Sequence, residues 1–374
     1  MKHFGLGLLL SVMLMGDANW QDWVWVTSRQ GLVTVINPSH RSVIAQLDVG
    51  KNLHRAALTP DGRYFVVAVE DDNACAILDA HSPRLVAKLP VGKSPGNVAI
   101  TPDSRFAFVT NTQSASVSVV DLQAFKVAGE IAVGEIPRIP AVTPDGRWLL
   151  VACEGSNAVS LVDIAARRET QRILVGASPY DMLLSPDGQW AFTNCRGSNE
   201  VFTIALPEGK VVAKAPVGKR PWLLAWAKGR ILCTNFDSHD ATILQASDLQ
   251  VLATLKVGIN PRMPVPSPDG KRVYVLNAGS DDVTVIDVEG LQVVGAVKVG
   301  KRPHRGCVSR DGKWLIVGNQ DDGTVSVVDT QTLQVTATLS VGKHHNGATW
   351  KRWKHLSVTC RFFGCAFTSR KSSA

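Results

Sequence analysis

The stretch VGKSPGNVAITPDSRFAFVTNTQSASVSVVD, residues 91–121, decides the fold because it recurs. Its opening returns as VGEIPRI (133–139), VGASPYD (175–181), VGKRPWL (217–223), VGINPRM (257–263) and VGKRPHR (299–305). The Val-Gly mark stands at Gly50, Gly92, Gly134, Gly176, Gly218, Gly258, Gly300 and Gly342, in steps of 42 residues with a single step of 40. Self-similarity at this period marks a repeat array. Within each step, short runs of Val, Ile, Leu and Ala are bounded by Gly, Pro, Asn, Asp or Ser, as in TPDG at 59–62 and 143–146 and SPDG at 267–270. Short strands joined by tight turns read this way. No sustained helical period follows residue 18, so each unit is predicted to be a four-stranded antiparallel meander and the fold class is all-β.

Small sheets of this kind cannot bury both faces alone, and they stack radially into a β-propeller. Seven complete units lie between Gly50 and Gly342. Residues 24–49 supply three further strands, which lack only an innermost one. The segment KHHNGATW at 343–350 is available to provide it, so the sequence predicts eight blades closed by pairing the N-terminal strands with a C-terminal strand. Seven blades is the competing count, and it leaves three good strands unused.

Residues 1–18 combine a basic start, an apolar stretch too short to span a bilayer and a small residue at Ala18, the pattern of a cleaved export signal. Residues 19–355 then form one propeller domain, and residues 356–374 a basic C-terminal tail. The expectation is a monomeric periplasmic or secreted protein without a transmembrane segment. The formal net charge of +8 invites a nucleic-acid reading. Its distribution argues against one, because residues 351–374 carry six Lys and Arg and no acid, leaving the rest near +2.

Five of the seven cysteines, Cys75, Cys153, Cys195, Cys233 and Cys307, fall in or beside apolar strand positions and are expected to be buried thiols. Cys153 and Cys195 are equivalent in adjacent blades, which places them about 10 Å apart, too far for a bridge. Cys360 and Cys365 are close enough in sequence to pair. There is no CxxCH for covalent haem and no paired CxxC for zinc.

Against this regular scaffold, the residue four after each marker glycine changes from blade to blade: His54, Gly96, Arg138, Tyr180, Trp222, Arg262, His304 and Asn346. Proline precedes it in six of eight units, which fixes the backbone that presents it. In a propeller this position lies at the mouth of the central channel. The next position adds Arg55, Asn97, Asp181 and Arg305, with Ile139, Leu223, Met263 and Gly347 between them. A ring serving only packing converges on few residue types. Here His, Arg, Tyr, Trp and Asp converge, offering anion recognition, stacking and imidazole chemistry. The candidate ligand-binding residues are therefore His54, Arg55, Asn97, Arg138, Tyr180, Asp181, Trp222, Arg262, His304, Arg305 and Asn346. The plainer alternative is a ring of hydrated channel polars. Acidic loops EDDN (70–73), GSDD (279–282) and QDDG (320–323) open on the same face, without EF-hand spacing for calcium.

The pattern VGxxPxxxxxxPDGxxxxVxNxxxxxVSVVD, carried by residues 91–121 and by VGKRPHRGCVSRDGKWLIVGNQDDGTVSVVD at 299–329, resembles the YVTN-type β-propeller repeat family. The resemblance covers essentially the whole mature chain. It implies a propeller whose relatives include surface-layer proteins, extracytoplasmic binding proteins and accessory factors of redox pathways; the ring residues favour, among these, a non-catalytic module that binds a protein, a peptide or an anionic small ligand at the channel mouth. The plan is also similar to the haem d1 propellers of periplasmic nitrite reductases and their assembly factors, which implies a d1-type tetrapyrrole as an alternative, with His54 and His304 as candidate ligands. A propeller lactonase or lyase is a third reading, for which no metal or base cluster and no nucleophile elbow is found.

Overall fold

In the computed structural model the described residues are 23–342 and 356–359. They form eight four-stranded antiparallel sheets. Numbered from the first complete unit, blades 1 to 7 span residues 53–90, 95–132, 137–174, 179–216, 221–256, 261–298 and 303–340. Blade 8 joins Val24–Ser28, Leu32–Asn37 and Ser42–Asp48 to a C-terminal strand, Leu356–Thr359. Each innermost strand touches the innermost strand of the next blade all the way round, so the ring is closed.

The closing strand is not where the sequence placed it. Residues 343–350 lie outside the described residues, and the strand that pairs with Val24–Ser28 is Leu356–Thr359, inside the segment read as tail, in the register Trp25 to Thr359 and Ser28 to Leu356. Its four residues carry no proline or PDG turn by which the repeat announces itself elsewhere.

The core lies between blades. Leu149 and Val151 of blade 3 pack on Phe108 and Val119 of blade 2. Phe65 of blade 1 stacks on Trp25 of blade 8 with ring centroids 4.8 Å apart, and Ile36 and Val26 of blade 8 meet Ile316 and Val325 of blade 7. The second and third strands of each blade are buried on both faces, which is why they read as continuous apolar runs.

The PDG turns lie on the face away from the mouth and are internal scaffolding. In blade 1 the Thr59 hydroxyl donates to Asp61 Oδ1 at 2.5 Å, Asp61 Oδ1 accepts the Arg63 amide at 2.9 Å, and the Tyr64 amide donates to Thr59 Oγ1 at 2.9 Å. Gly62 takes φ +76°, the left-handed turn that glycine enters without a Cβ clash. A 340 Å³ cleft lined by Pro38, Ser39, Ser309, Arg310, Asp311 and Trp314 lies on this far face.

The connections into the mouth are stitched to the preceding blade. The residue before each inner strand is left-handed in all seven complete blades, from φ 50° at Ile136 to 58° at Asn52. The amides of Ser94, Ser178 and Arg220 are held by the side-chain oxygens of Asn73, Asn157 and Asn199, at 2.9, 2.9 and 2.7 Å.

Candidate functional site: the channel mouth

Every complete inner strand carries a β-bulge at the variable position. Pro179 pairs with Cys195 and Asp181 with Asn194, so Tyr180 is the extra residue; Gly96, Arg262 and His304 occupy the same place in their blades. Where two residues oppose one, the pairs are His54 with Arg55, Arg138 with Ile139, and Trp222 with Leu223. A bulge breaks the pleat and re-aims a side chain, which turns a packing position into a presenting one.

A second tier, which the sequence reading missed, follows the end of each second strand: Arg29, Glu70, Thr112, Glu154, Arg196, Phe236, Ala278 and Gln320. In blades 1 to 7 antiparallel pairing sets this residue beside the bulge of its own blade. His54 Nε2 meets Glu70 Oε2 at 2.8 Å, and Arg138 Nε pairs with Glu154. Arg196 lies against Tyr180, and Phe236 lies 5.0 Å from Trp222, ring centre to ring centre. The signal was available, since this position varies between blades as much as the first.

The two tiers sort the mouth into two halves. On the side of blades 1 and 2 the histidine and the acid pair with each other, although Arg29 Nε and Asn52 Oδ1 are buried without a partner. Glu70 accepts from His54, from Asn52 Nδ2 at 2.6 Å and from the Ser94 hydroxyl at 2.7 Å. Its carboxyl falls to about 2, chiefly through the His54 hydrogen bond and against the effect of burial. Asn97 Nδ2 donates to the Arg138 carbonyl at 3.1 Å and ties blade 2 to blade 3. His54 and Asn97 thus serve the scaffold in this structure.

On the side of blades 3 to 7, cations and rings interleave. The Arg196 guanidinium lies 3.0 Å from the Tyr180 ring centre and 3.7 Å from that of Trp222. Arg262 lies 4.6 Å from Trp222 and 5.0 Å from Phe236, and its Nη1 donates to His304 Nε2 at 3.1 Å. A guanidinium cannot accept, so His304 Nε2 is the acceptor and the ring proton is assigned to Nδ1. Below this layer Ile139, Leu223 and Met263 form an apolar floor against which Tyr180 and Trp222 pack.

Arg262 and Arg305 are each only 8% exposed. Burial, reinforced by Arg55, pulls Arg305 down to about 9, and burial, reinforced by Arg302, pulls Arg262 to about 10. Burial also brings Arg196 to about 10, against the attraction of Tyr180. Burial alone would raise the Tyr180 phenol, but Arg196, Arg305, Arg55 and Arg138 outweigh it and bring it below its ordinary value. The buried carboxylate among them is Asp181, raised by burial and held by the amides of Leu224 at 2.8 Å and Met182 at 3.1 Å. Among the described residues, Arg196 Nε and Nη2 and Arg262 Nε are shut off from solvent without an acceptor. Each such donor costs about 1–3 kcal/mol.

The structure thus brings Arg55, Arg138, Tyr180, Asp181, Trp222, Arg262, His304 and Arg305 to one mouth. Asn346 lies outside the described residues, as do Cys360 and Cys365. The acidic loops are occupied locally: Asp72 pairs with Lys88 at 2.6 Å, and Asp322 accepts the Lys301 amide at 2.6 Å. Among the described residues no three His, Cys, Asp or Glu side chains converge as a metal site requires. The five strand cysteines are buried and free, and burial pushes the Cys75 and Cys195 thiols to about 12. No helix of the described residues is long and apolar enough to cross a membrane.

The YNCE-like β-propeller family matches over residues 97–341. No curated protein matches the chain. Among solved structures it is similar to hydrazine synthase of Kuenenia stuttgartiensis, with a TM-score of 0.62 and 24% identity over 74% of this chain and 94% of that one. Dihydro-heme d1 dehydrogenase NirN in complex with DHE gives 0.75 and 18% over 86% and 74%. A functionally unknown protein from Desulfotomaculum acetoxidans gives 0.62 and 16% over 74% and 95%. At these identities the likeness is one of fold.

Proposed function

The chain belongs to the YNCE-like β-propeller family, and from that premise we propose that it is a binding protein whose channel mouth takes a small anionic ligand. The observation that carries this reading is the set of buried guanidiniums Arg196, Arg262 and Arg305, with basicity lowered by burial and, at the first two, donors left without acceptors. Packing alone gives no reason for them, because replacing buried charges by apolar side chains of similar volume is often neutral or stabilising. An anion supplies the missing acceptors and offsets the charge. Proteins and peptides presenting a carboxylate fit the same chemistry.

The test is calorimetric titration with succinate, phosphate and sulfate at low ionic strength, on the wild type and on the Arg262→Met/Arg305→Met double variant. Binding to the wild type that weakens with salt and disappears in the variant is the expected result. Failure of every anion to bind the wild type overturns the reading. Export belongs to the same proposal, and the mature protein is expected to begin at Asn19, as mass spectrometry of protein secreted by the native cell will show.

A second reading, a d1-type tetrapyrrole, is favoured by the fold likeness to NirN, whose structure contains DHE. Two contacts weigh against histidine ligation: His54 Nε2 is engaged by Glu70, and His304 Nε2 by Arg262. Absorption outside the protein's own bands that shifts with dithionite supports this reading, and a colourless protein that binds no added tetrapyrrole rejects it.

A further inference from the structure

Arg196 is the least economical side chain at the mouth. Its guanidinium is layered between Tyr180 and Trp222, whose ring centres are 5.8 Å apart. The atoms left without an acceptor, Nε and Nη2, are the two N–H groups of one edge, the pair that matches the two oxygens of a carboxylate. Two residues before it, Asn194 accepts the Asp181 amide with Oδ1 at 2.9 Å but leaves its buried Nδ2 without a partner. Threonines at the equivalent place close the same gap in other blades, Thr110 donating to the Arg138 carbonyl at 3.0 Å and Thr234 to the Arg262 carbonyl at 2.9 Å. The junction of blades 4 and 5 is therefore left unfinished.

Resting on the anion-binding reading above, we propose that the ligand is a small dicarboxylate, one carboxylate of which takes the Nε/Nη2 edge of Arg196. The layer between the two rings admits a planar group coplanar with the guanidinium and disfavours a tetrahedral one. Arg196, Arg262 and Arg305 are buried guanidiniums, and Asp181, beside Arg55 and Arg305, is the buried carboxylate of the mouth, so cations are in excess and a doubly charged anion suits the site better than a singly charged one. The second carboxylate falls to Arg262, whose Nε is also unused. The Arg196 edge has no solvent access in the free protein, so binding moves Trp222 against Arg196.

The experiment titrates succinate, glutarate, acetate and phosphate into the wild type, Arg196→Lys and Trp222→Phe, followed by calorimetry and tryptophan fluorescence. A dicarboxylate is expected to bind about tenfold more tightly than acetate or phosphate, and Arg196→Lys, which keeps the charge but loses the fork, to weaken it about tenfold. The accompanying fluorescence change is expected to vanish in Trp222→Phe. The ligand comparison needs only the wild type, so it stands even if a variant folds poorly. Phosphate binding as tightly as dicarboxylate, Arg196→Lys binding like the wild type, or a fluorescence change persisting in Trp222→Phe overturns the inference and leaves anion binding intact. Absence of binding by all four anions removes both.

Discussion

At the scale of single residues, the partner supplied by the neighbouring strand decides what each mouth side chain does. His54 and His304 occupy the same bulge in blades 1 and 7, yet one faces a carboxylate and the other a guanidinium. The Glu70 carboxyl is held at about 2 against its ordinary 4.5, so its contribution to stability is complete above about pH 4.5 and is lost as pH falls toward 2. Glu70→Gln is therefore expected to flatten the acid side of the thermal midpoint profile relative to wild type, with the difference confined to that window. Arg305 predicts the opposite trade. Arg305→Met is expected to raise stability by about 1 kcal/mol while abolishing anion binding, because Asp181 keeps Arg55 and the Leu224 amide as partners. A lower midpoint together with intact binding would count against a ligand role for Arg305.

At the scale of elements, the bulges do two jobs. Those of the inner strands present the ring; those of the outer strands, found in all eight blades, leave one residue unopposed, as Ala128 is between Val119–Gly129 and Val120–Val127. A bulged edge is a poor template for another strand. The connections carry a measurable cost at Ile136, a β-branched residue at φ 50°, where asparagine fits better. Ile136→Asn is expected to raise the unfolding free energy by about 1 kcal/mol without touching the mouth, as denaturant titration will show. The blade and its variable ring were legible because the marker glycine and proline count them out, whereas the bulges that present the ring were not. The second tier was harder to see because it has no marker of its own, only a constant spacing, the same from His54 to Glu70, from Arg138 to Glu154 and from Tyr180 to Arg196. That spacing is the length of one hairpin read across its ladder, and it shortens from Trp222 to Phe236, in the blade that gives the repeat its single short step.

At the scale of the molecule, eight blades follow from the period and from the three strands left over before Gly50, whereas the position of the closing strand does not. Leu356–Thr359 is identified by its pairing with Val24–Ser28, a partner near the opposite end of the chain, and so short a run carries too little pattern to reveal that. A chain ending at residue 355 is expected to lose hydrogen-exchange protection at 24–28 first, ahead of blades 2 to 6; uniform loss or no loss would show that this strand does not close the ring. The mending of the circle in blade 8 also sets an order in time. The three strands at 24–48 precede all seven complete blades along the chain and must wait for residues 356–359 before their sheet is complete. Seven blades can assemble in sequence while the strands at 24–48 remain an open edge, and the ring closes last at the blade that draws on both sides of the array.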